Sequence, residues 1–230
     1  VVVCGGGGLL NSLLGGGGLT PIDDSGQEPY AMMATSRPTD APQPVIGFTP
    51  PAVSSDESWT VMLYQDGDDQ ILEQDIILDF NEVELVGSTD QVHMVAQLDR
   101  YRGGYTGDGN WTSSRRYYIT KDNDLNRINS QLIADLGELS MSDTETLVDF
   151  VTWTAKNFPA DHYVLIMSDH GMGWPGGWTD SAPASYSSQS APLAQKLGSA
   201  IYLDQLSGAL KQIQQETGID KFEVIGMDAC

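Results

Sequence analysis

Residues 163–171 have the sequence YVLIMSDHG, and residues 222–230 have the sequence FEVIGMDAC. Each stretch is a short apolar run followed by polar residues, a pattern typical of a strand that is buried in a parallel sheet. If the two strands are parallel neighbours, their carboxyl ends lie at the same edge of the sheet. The pattern therefore predicts that His170 and Cys230 emerge close together at that edge.

Strand and helix patterns alternate along the chain from Trp59 onward. This alternation predicts an α/β fold with a mostly parallel sheet that carries helices on both faces. A turn at Asp108-Gly109-Asn110 followed by an extended segment predicts a β-hairpin after the second strand. Ser142, with Glu145 three residues later, predicts the N-terminal cap of a helix. The predicted strands are 60–64, 92–98, 116–120, 163–167 and 222–227, and the predicted helices are 71–85, 144–157 and 203–215.

Two segments lack the apolar residues that a folded core requires. Residues 1–55 contain two runs of four glycines and a cluster of prolines, so they are predicted to form a flexible N-terminal or pro segment. Residues 180–198 are rich in Ser, Ala and Gln and are predicted to form a mobile loop. The folded core is accordingly assigned to residues 56–230.

A thiol and an imidazole at one sheet edge suggest nucleophilic catalysis, because a thiol attacks well only when it is ionised and a neighbouring imidazole can ionise it. The chain has three histidines. His93 falls inside a predicted strand and His162 falls at the opposite end of another, so only His170 has the required position. Taken singly, a histidine or a cysteine is usually structural. Their joint placement at two strand ends favours a catalytic pair.

The composition excludes some classes of partner. The formal net charge is −21, which disfavours binding to nucleic acids and to anionic lipid surfaces and favours basic peptides or divalent cations. Acidity that serves only solubility is the alternative. The two cysteines, Cys4 and Cys230, do not suggest a disulfide framework. No apolar stretch is long enough to span a bilayer.

Three motifs in order along the chain resemble the clostripain family of cysteine peptidases. They are WTVMLY at 59–64 followed by Asp66-Gly67-Asp68, then SDHG at 168–171, then GMDAC at 226–230. The family is grouped with caspases, legumains and gingipains. The resemblance therefore implies a caspase-like sheet, here incomplete at the C-terminus because family members continue beyond the nucleophile. A second chain or a C-terminal remainder would complete that sheet.

The resemblance also implies roles for individual residues. His170 would be the base and Cys230 the nucleophile, and the backbone N–H groups of Gly171 and Cys230 would form the oxyanion hole. Asp228 would receive an Arg or Lys side chain, with a turn residue as its alternative. Asp169 would orient the imidazole or shape the turn. The implied activity is hydrolysis of peptide bonds after Arg or Lys through an acyl-enzyme, which requires no cofactor.

Further expectations concern processing and export. Members of the family often cleave themselves between the His and Cys strands, and Lys196 is the basic residue in loop 180–198, so the Lys196–Leu197 bond is a predicted self-processing site. The sequence VVVCG at 1–5 is similar to the end of a bacterial lipoprotein signal, which would lipidate Cys4; a remnant of expression or export is the alternative. Lipidation at Cys4 would be the only attachment to a membrane. We expect a secreted or cell-envelope protein.

Calcium binding is a weaker expectation, carried by the acidic residues after the first strand, Asp66, Asp68 and Asp69. Two other classes of function stay open at the level of the sequence. One is a catalytically inactive caspase-like module for binding or adhesion. The other is a metal site that includes Cys230, which the lack of partner cysteines disfavours.

Overall fold

The computed structural model describes residues 47–51, 57–171, 176–180 and 199–229. Its strands are β1 (Trp59–Gly67), β2 (Val92–Arg100), β3 (Arg115–Tyr118), β4 (Gln131–Asp135), β5 (His162–Ser168), β6 (Gly176–Asp180), β7 (Ser199–Tyr202) and β8 (Val224–Asp228). Its helices are α1 (Glu73–Glu84), α2 (Thr144–Asn157) and α3 (Leu203–Thr217).

Six of the strands form one sheet in the order β4-β3-β2-β1-β5-β8. β1 pairs in parallel with β2 and β5, and β5 pairs in parallel with β8. β3 and β4 join the sheet as antiparallel strands beside β2. The predicted α/β class with a mostly parallel sheet is therefore confirmed. β6 and β7 form a separate antiparallel pair.

Helices cover both faces of the sheet, because β1 and β2 bury apolar side chains in both directions. On one face Ile76 and Phe80 of α1 pack against Leu63 and Leu98. On the other face, side chains of α2 and α3 share a core with Met62 and Leu165; they include Leu147, Val151, Leu206 and Ile213. Among the described residues, no helix is both long and apolar enough to cross a membrane.

The hairpin after β2 differs in detail from the prediction. A turn and one extended segment were expected, whereas the structure has two strands, β3 and β4, with an irregular register between Arg116 and Tyr117. Arg116 is buried, and its guanidinium donates to Asp149 at 2.7 Å and to Gln97 at 2.8 Å. This ion pair, between buried Arg116 and partly exposed Asp149, ties the hairpin to α2.

The cap of α2 is Asp143 and not Ser142 as predicted. The backbone of Asp143 is extended, and its carboxylate accepts a hydrogen bond from Glu145 N at 3.1 Å. The hydroxyl of Ser142 instead lies 2.9 Å from that of Ser140. The predicted residue was wrong by one position because several oxygen-bearing side chains compete for the cap in this turn.

The described residues begin before the predicted domain boundary near residue 55. The ring of Phe48 lies 5.1 Å from that of Tyr118 and 5.8 Å from that of Phe158, between centroids. Phe48 thus contributes to the core on the face that carries α2. The assignment of residues 1–46 to a flexible segment stays a prediction, because they lie outside the described residues.

Candidate active site

The carboxyl ends of β5 and β8 lie side by side. Ser168 is opposite Asp228 in the parallel register, and Asp169 N donates to Asp228 O at 3.2 Å. The predicted pairing of the two strands is therefore confirmed. In the sequence His170 follows two residues after Ser168, and Cys230 follows two residues after Asp228. Cys230 itself lies outside the described residues, as do Cys4 and Lys196.

The other two histidines have the structural positions predicted for them. His93 is buried in β2, and its Nδ1 lies 3.0 Å from the hydroxyl of Tyr118. His162 begins β5 at the amino end of the strand, where its Nδ1 lies 3.1 Å from Glu223. Of the three histidines, only His170 lies at the carboxyl edge of the sheet.

The backbone around His170 is fixed by β6. The carbonyl oxygen of His170 accepts a hydrogen bond from Trp178 N at 3.0 Å, and Gly171 forms an isolated antiparallel bridge with Gly177. The carboxylate of Asp169 accepts a hydrogen bond from Thr179 N. Of the two roles considered for Asp169, this contact supports the shaping of the turn.

Gly177 provides a direct test of this support. A Cβ atom at residue 177 would lie 2.7 Å from the carbonyl oxygen of His170, which is too close for either backbone to stay in place. We predict that Gly177→Ala lowers kcat/KM for a cleavable peptide by roughly 10- to 100-fold, because a shift of about 1 Å in a catalytic group has effects of that size. Steady-state kinetics measure the change.

Gly208 on α3 is the matched control, because a Cβ atom there meets no atom within 4 Å. We expect Gly208→Ala to leave kcat/KM unchanged and to stabilise the protein by up to about 1 kcal/mol, since alanine favours a helix. Wild-type kcat/KM in Gly177→Ala, as in Gly208→Ala, would show that β6 does not position His170.

Sequence analysis missed the side chain that contacts the imidazole. Asp69, in the loop after β1, places its Oδ1 3.3 Å from Nε2 of His170. The two residues are far apart in sequence, and Asp69 had been grouped with Asp66 and Asp68 as a calcium ligand. The position of Asp69 after β1, a strand that neighbours β5, could have indicated this contact.

The charge of Asp228, at this edge of the sheet, acts on Asp79 of α1. Partial burial, followed by the charges of Asp228, Glu82 and Asp75, raises the pKa of Asp79 to about 6. Because this value lies above the ordinary 3.8 of an unfolded chain, the ionised Asp79 opposes folding at neutral pH, and that cost falls as the pH drops through 6 toward 3.8. A cation bound beside Asp228 would relieve the same repulsion.

The acidic residues at the end of β1 and in the loop after it do not form a metal centre in the described part of the chain. Asp66 and Asp68 are buried, and Asp68 N donates to Asp66 Oδ1 at 3.2 Å. Within residues 47–51, 57–171, 176–180 and 199–229, no group of three or more His, Cys, Asp or Glu side chains is arranged to hold a metal ion. A calcium requirement stays a prediction without assigned ligands.

A family model for the clostripain family matches residues 63–230, which include the C-terminal part of β1, all of β5 and β8, and the residues at their carboxyl ends. The chain belongs to the clostripain family. A curated relative, clostripain of Hathewaya histolytica, is 32% identical over 126 residues, which are 50% of this chain and 23% of the relative. The matched part of this chain thus spans about a quarter of the length of that relative.

One solved structure shares this fold. A secreted C11 cysteine protease from Bacteroides thetaiotaomicron, in complex with an irreversible peptide inhibitor, aligns with a TM-score of 0.51 at 18% identity. The alignment covers 76% of this chain and 43% of that protease. An inactive zymogen C11 protease from Parabacteroides distasonis aligns with a TM-score of 0.47 at 20% identity, over 77% of this chain and 44% of that one.

Proposed function

We propose that the protein is a cysteine endopeptidase that cleaves peptide bonds after Arg or Lys, with Cys230 as nucleophile and His170 as base. The observation that carries the proposal is the parallel register of β5 and β8, in which Ser168 lies opposite Asp228. His170 and Cys230 each follow two residues later, within the segment that the family model matches.

The chemistry follows from these groups. His170 takes the proton of the Cys230 thiol, and the sulfur attacks the carbonyl carbon of the scissile bond. The N–H groups of Gly171 and Cys230 stabilise the oxyanion. The proton then passes to the leaving amine, the C–N bond breaks, and a thioester forms. Water activated by His170 hydrolyses the thioester and restores the thiol.

Covalent labelling tests the proposal. A peptidyl-arginine chloromethyl ketone should add to one cysteine of the whole protein, and mass spectrometry of the digest should locate it at Cys230. Cys230→Ala should abolish the labelling, whereas Cys4→Ala should leave it unchanged, since the chain has only these two cysteines. Labelling at Cys4, or none in correctly folded protein, would contradict the proposal and favour a module that only binds.

Self-processing belongs to the same proposal. An enzyme that cleaves after basic residues has a candidate site in its own chain at Lys196, between the His and Cys strands. We predict that Lys196→Ala keeps the purified protein in one piece on a denaturing gel while wild type is cut at Lys196–Leu197. Lys211→Ala, on the exposed surface of α3, is the matched control and should be cut like wild type. Unchanged cutting of Lys196→Ala would exclude this site.

We also propose that further strands, from a C-terminal remainder or a second chain, pair with β8. β8 is the last described strand of the sheet, and its side chains Val224, Ile225 and Met227 are all exposed. An unpaired edge with apolar side chains favours association. The backbone amides of β8 that face away from β5 should be protected from hydrogen exchange in the whole protein, because only added strands would pair with them. Rapid exchange of these amides would exclude added strands.

We also propose that the protein is secreted or attached to the cell envelope, and that it binds calcium. The net charge of −21 suits an exported protein, and VVVCG at 1–5 is similar to a lipoprotein signal. Cell fractionation tests export, and Cys4→Ser should release the protein from the membrane if Cys4 is lipidated. Activity that survives dialysis against EGTA would exclude a calcium requirement.

A further inference from the structure

A carboxylate from a different strand end lies beside a ring nitrogen of His170. Oδ1 of Asp69 lies 3.3 Å from Nε2 of His170. Both side chains are partly exposed, so substrate can reach the imidazole while the carboxylate stays beside it. Hydrogen bonds between catalytic groups are often long in ligand-free structures and tighten when substrate binds.

Asp69 is held in place by groups other than His170. Its Oδ1 accepts hydrogen bonds from Ile71 N at 2.7 Å and Leu72 N at 3.0 Å. Its carbonyl oxygen accepts one from Glu73 N at 3.0 Å, at the start of α1. The carboxylate therefore lies at a helix N-terminus, where the helix dipole stabilises a negative charge.

The start of α1 is itself anchored by a buried ion pair. Glu73 accepts from Arg100 Nε at 2.8 Å and from Tyr105 N at 2.6 Å, and both charged side chains are almost fully buried. Because α1 cannot shift without breaking this pair, the position of the Asp69 carboxylate does not depend on its contact with His170.

The charge of Asp69 suits a partner for an imidazolium. Burial raises the pKa of Asp69, but the hydrogen bonds from Leu72 N and Ile71 N and the nearby His170 outweigh it, so that the pKa lies below the ordinary value of a carboxyl group. The side chain is therefore ionised at neutral pH. An ionised carboxylate stabilises the positive charge that His170 acquires when it takes a proton.

We propose that Asp69 is a positioning residue for His170, accepting a hydrogen bond from Nε2–H and leaving Nδ1 as the nitrogen that takes the thiol proton of Cys230. The inference rests on the proposed role of His170 as the base. The partner of one ring nitrogen decides which nitrogen carries the proton, and so which one is free to act. The proton moves from sulfur to Nδ1 and later to the leaving amine, while Asp69 stays ionised throughout.

Asp69→Asn tests the positioning role with little change in structure. An asparagine side chain still accepts hydrogen bonds from residues 71 and 72 through its oxygen, but it carries no charge, so it accepts more weakly from Nε2–H and stabilises the imidazolium less. We expect kcat to fall by roughly 10- to 100-fold with KM changed by less than about threefold, because binding contacts are kept while proton transfer is impaired. Asp69→Glu should recover part of the lost kcat.

Asp143→Asn is the matched control, because it makes the same change at the N-cap of α2. That variant should keep the wild-type kcat. If Asp69→Asn keeps wild-type kcat while His170→Ala is inactive, the positioning role of Asp69 is wrong and the proposed peptidase stands. If His170→Ala is itself fully active, the proposed function fails first.

Nitrogen-15 NMR of the imidazole gives a readout that a merely structural role would not change. Neutral His170 in wild type should be protonated at Nε2, and Asp69→Ala, which removes the acceptor oxygen, should shift it toward a mixture of tautomers. The His170→Ala spectrum identifies the signal against those of His93 and His162. A wild-type His170 protonated at Nδ1 would overturn the proposal.

Discussion

His170→Ala should lower kcat/KM for a peptidyl-arginine substrate by about 10²- to 10⁴-fold, the usual contribution of a positioned acid–base group. The imidazole is the only one at the carboxyl edge of the sheet, so no other histidine of this chain replaces it. The rate of labelling by a peptidyl-arginine electrophile should fall as well, because less of the thiol is ionised. Steady-state kinetics and mass spectrometry measure the two effects.

His162→Ala is the control for this loss. His162 lies at the amino end of β5, where its ring packs 4.5 Å from that of Trp59, between centroids. It is only partly buried, so its removal should leave kcat/KM near the wild-type value. A loss in His162→Ala equal to that in His170→Ala would place the base elsewhere.

Asp228→Asn should reduce kcat/KM for substrates with Arg before the cleaved bond by roughly 30- to 900-fold. That range corresponds to about 2–4 kcal/mol, the cost of removing one member of a hydrogen-bonded charge pair that is buried in the complex. Asp228 is exposed in the structure, and the bound substrate would bury it. The carboxylate of Asp228 belongs to the strand end that precedes Cys230, and its charge is one of the causes that raise the pKa of Asp79, after burial. A substrate guanidinium would bring a positive charge to this carboxylate.

A citrulline substrate is the matched control, because it has nearly the shape of arginine without the charge. Wild type should discriminate strongly between the two, and Asp228→Asn should cleave them at similar rates. Asp228→Asn should also lower the pKa of Asp79, since the charge of Asp228 is one of the causes that raise it. An unchanged preference for arginine would remove Asp228 from the specificity pocket.

The sequence predicts most of the sheet that positions this site. Continuous apolar runs such as 163–167 and 222–227 identify buried parallel strands, and Gly218, which ends α3 with a φ of 75°, was readable as a helix stop. β4 was missed because Gln131–Asp135 is short and begins and ends with polar residues. Its place in the sheet comes from pairing with β3, which a local pattern does not encode.

Only those residues of the candidate site that lie at strand ends could be predicted from the sequence. His170 and Asp228 follow apolar strands, so their position at the carboxyl edge follows from the parallel pairing of β5 and β8. The contact of Asp69 with His170 depends on the order of β1 and β5 in the sheet and on the rotamers of both side chains. The support of His170 by Trp178 and Gly177 depends in turn on the path of the chain after Gly171. Neither the contact of Asp69 nor the support by β6 can be predicted from the local sequence.

The most direct test is a crystal structure of the whole protein with a peptidyl-arginine inhibitor bound to its cysteine. We predict that Nδ1 of His170 lies about 3–4 Å from the sulfur of Cys230, within reach of a proton transfer. We also predict that Nε2 faces Asp69 in that complex. A Cys230 sulfur at the other edge of the sheet, or buried away from the inhibitor, would contradict the proposed catalytic pair.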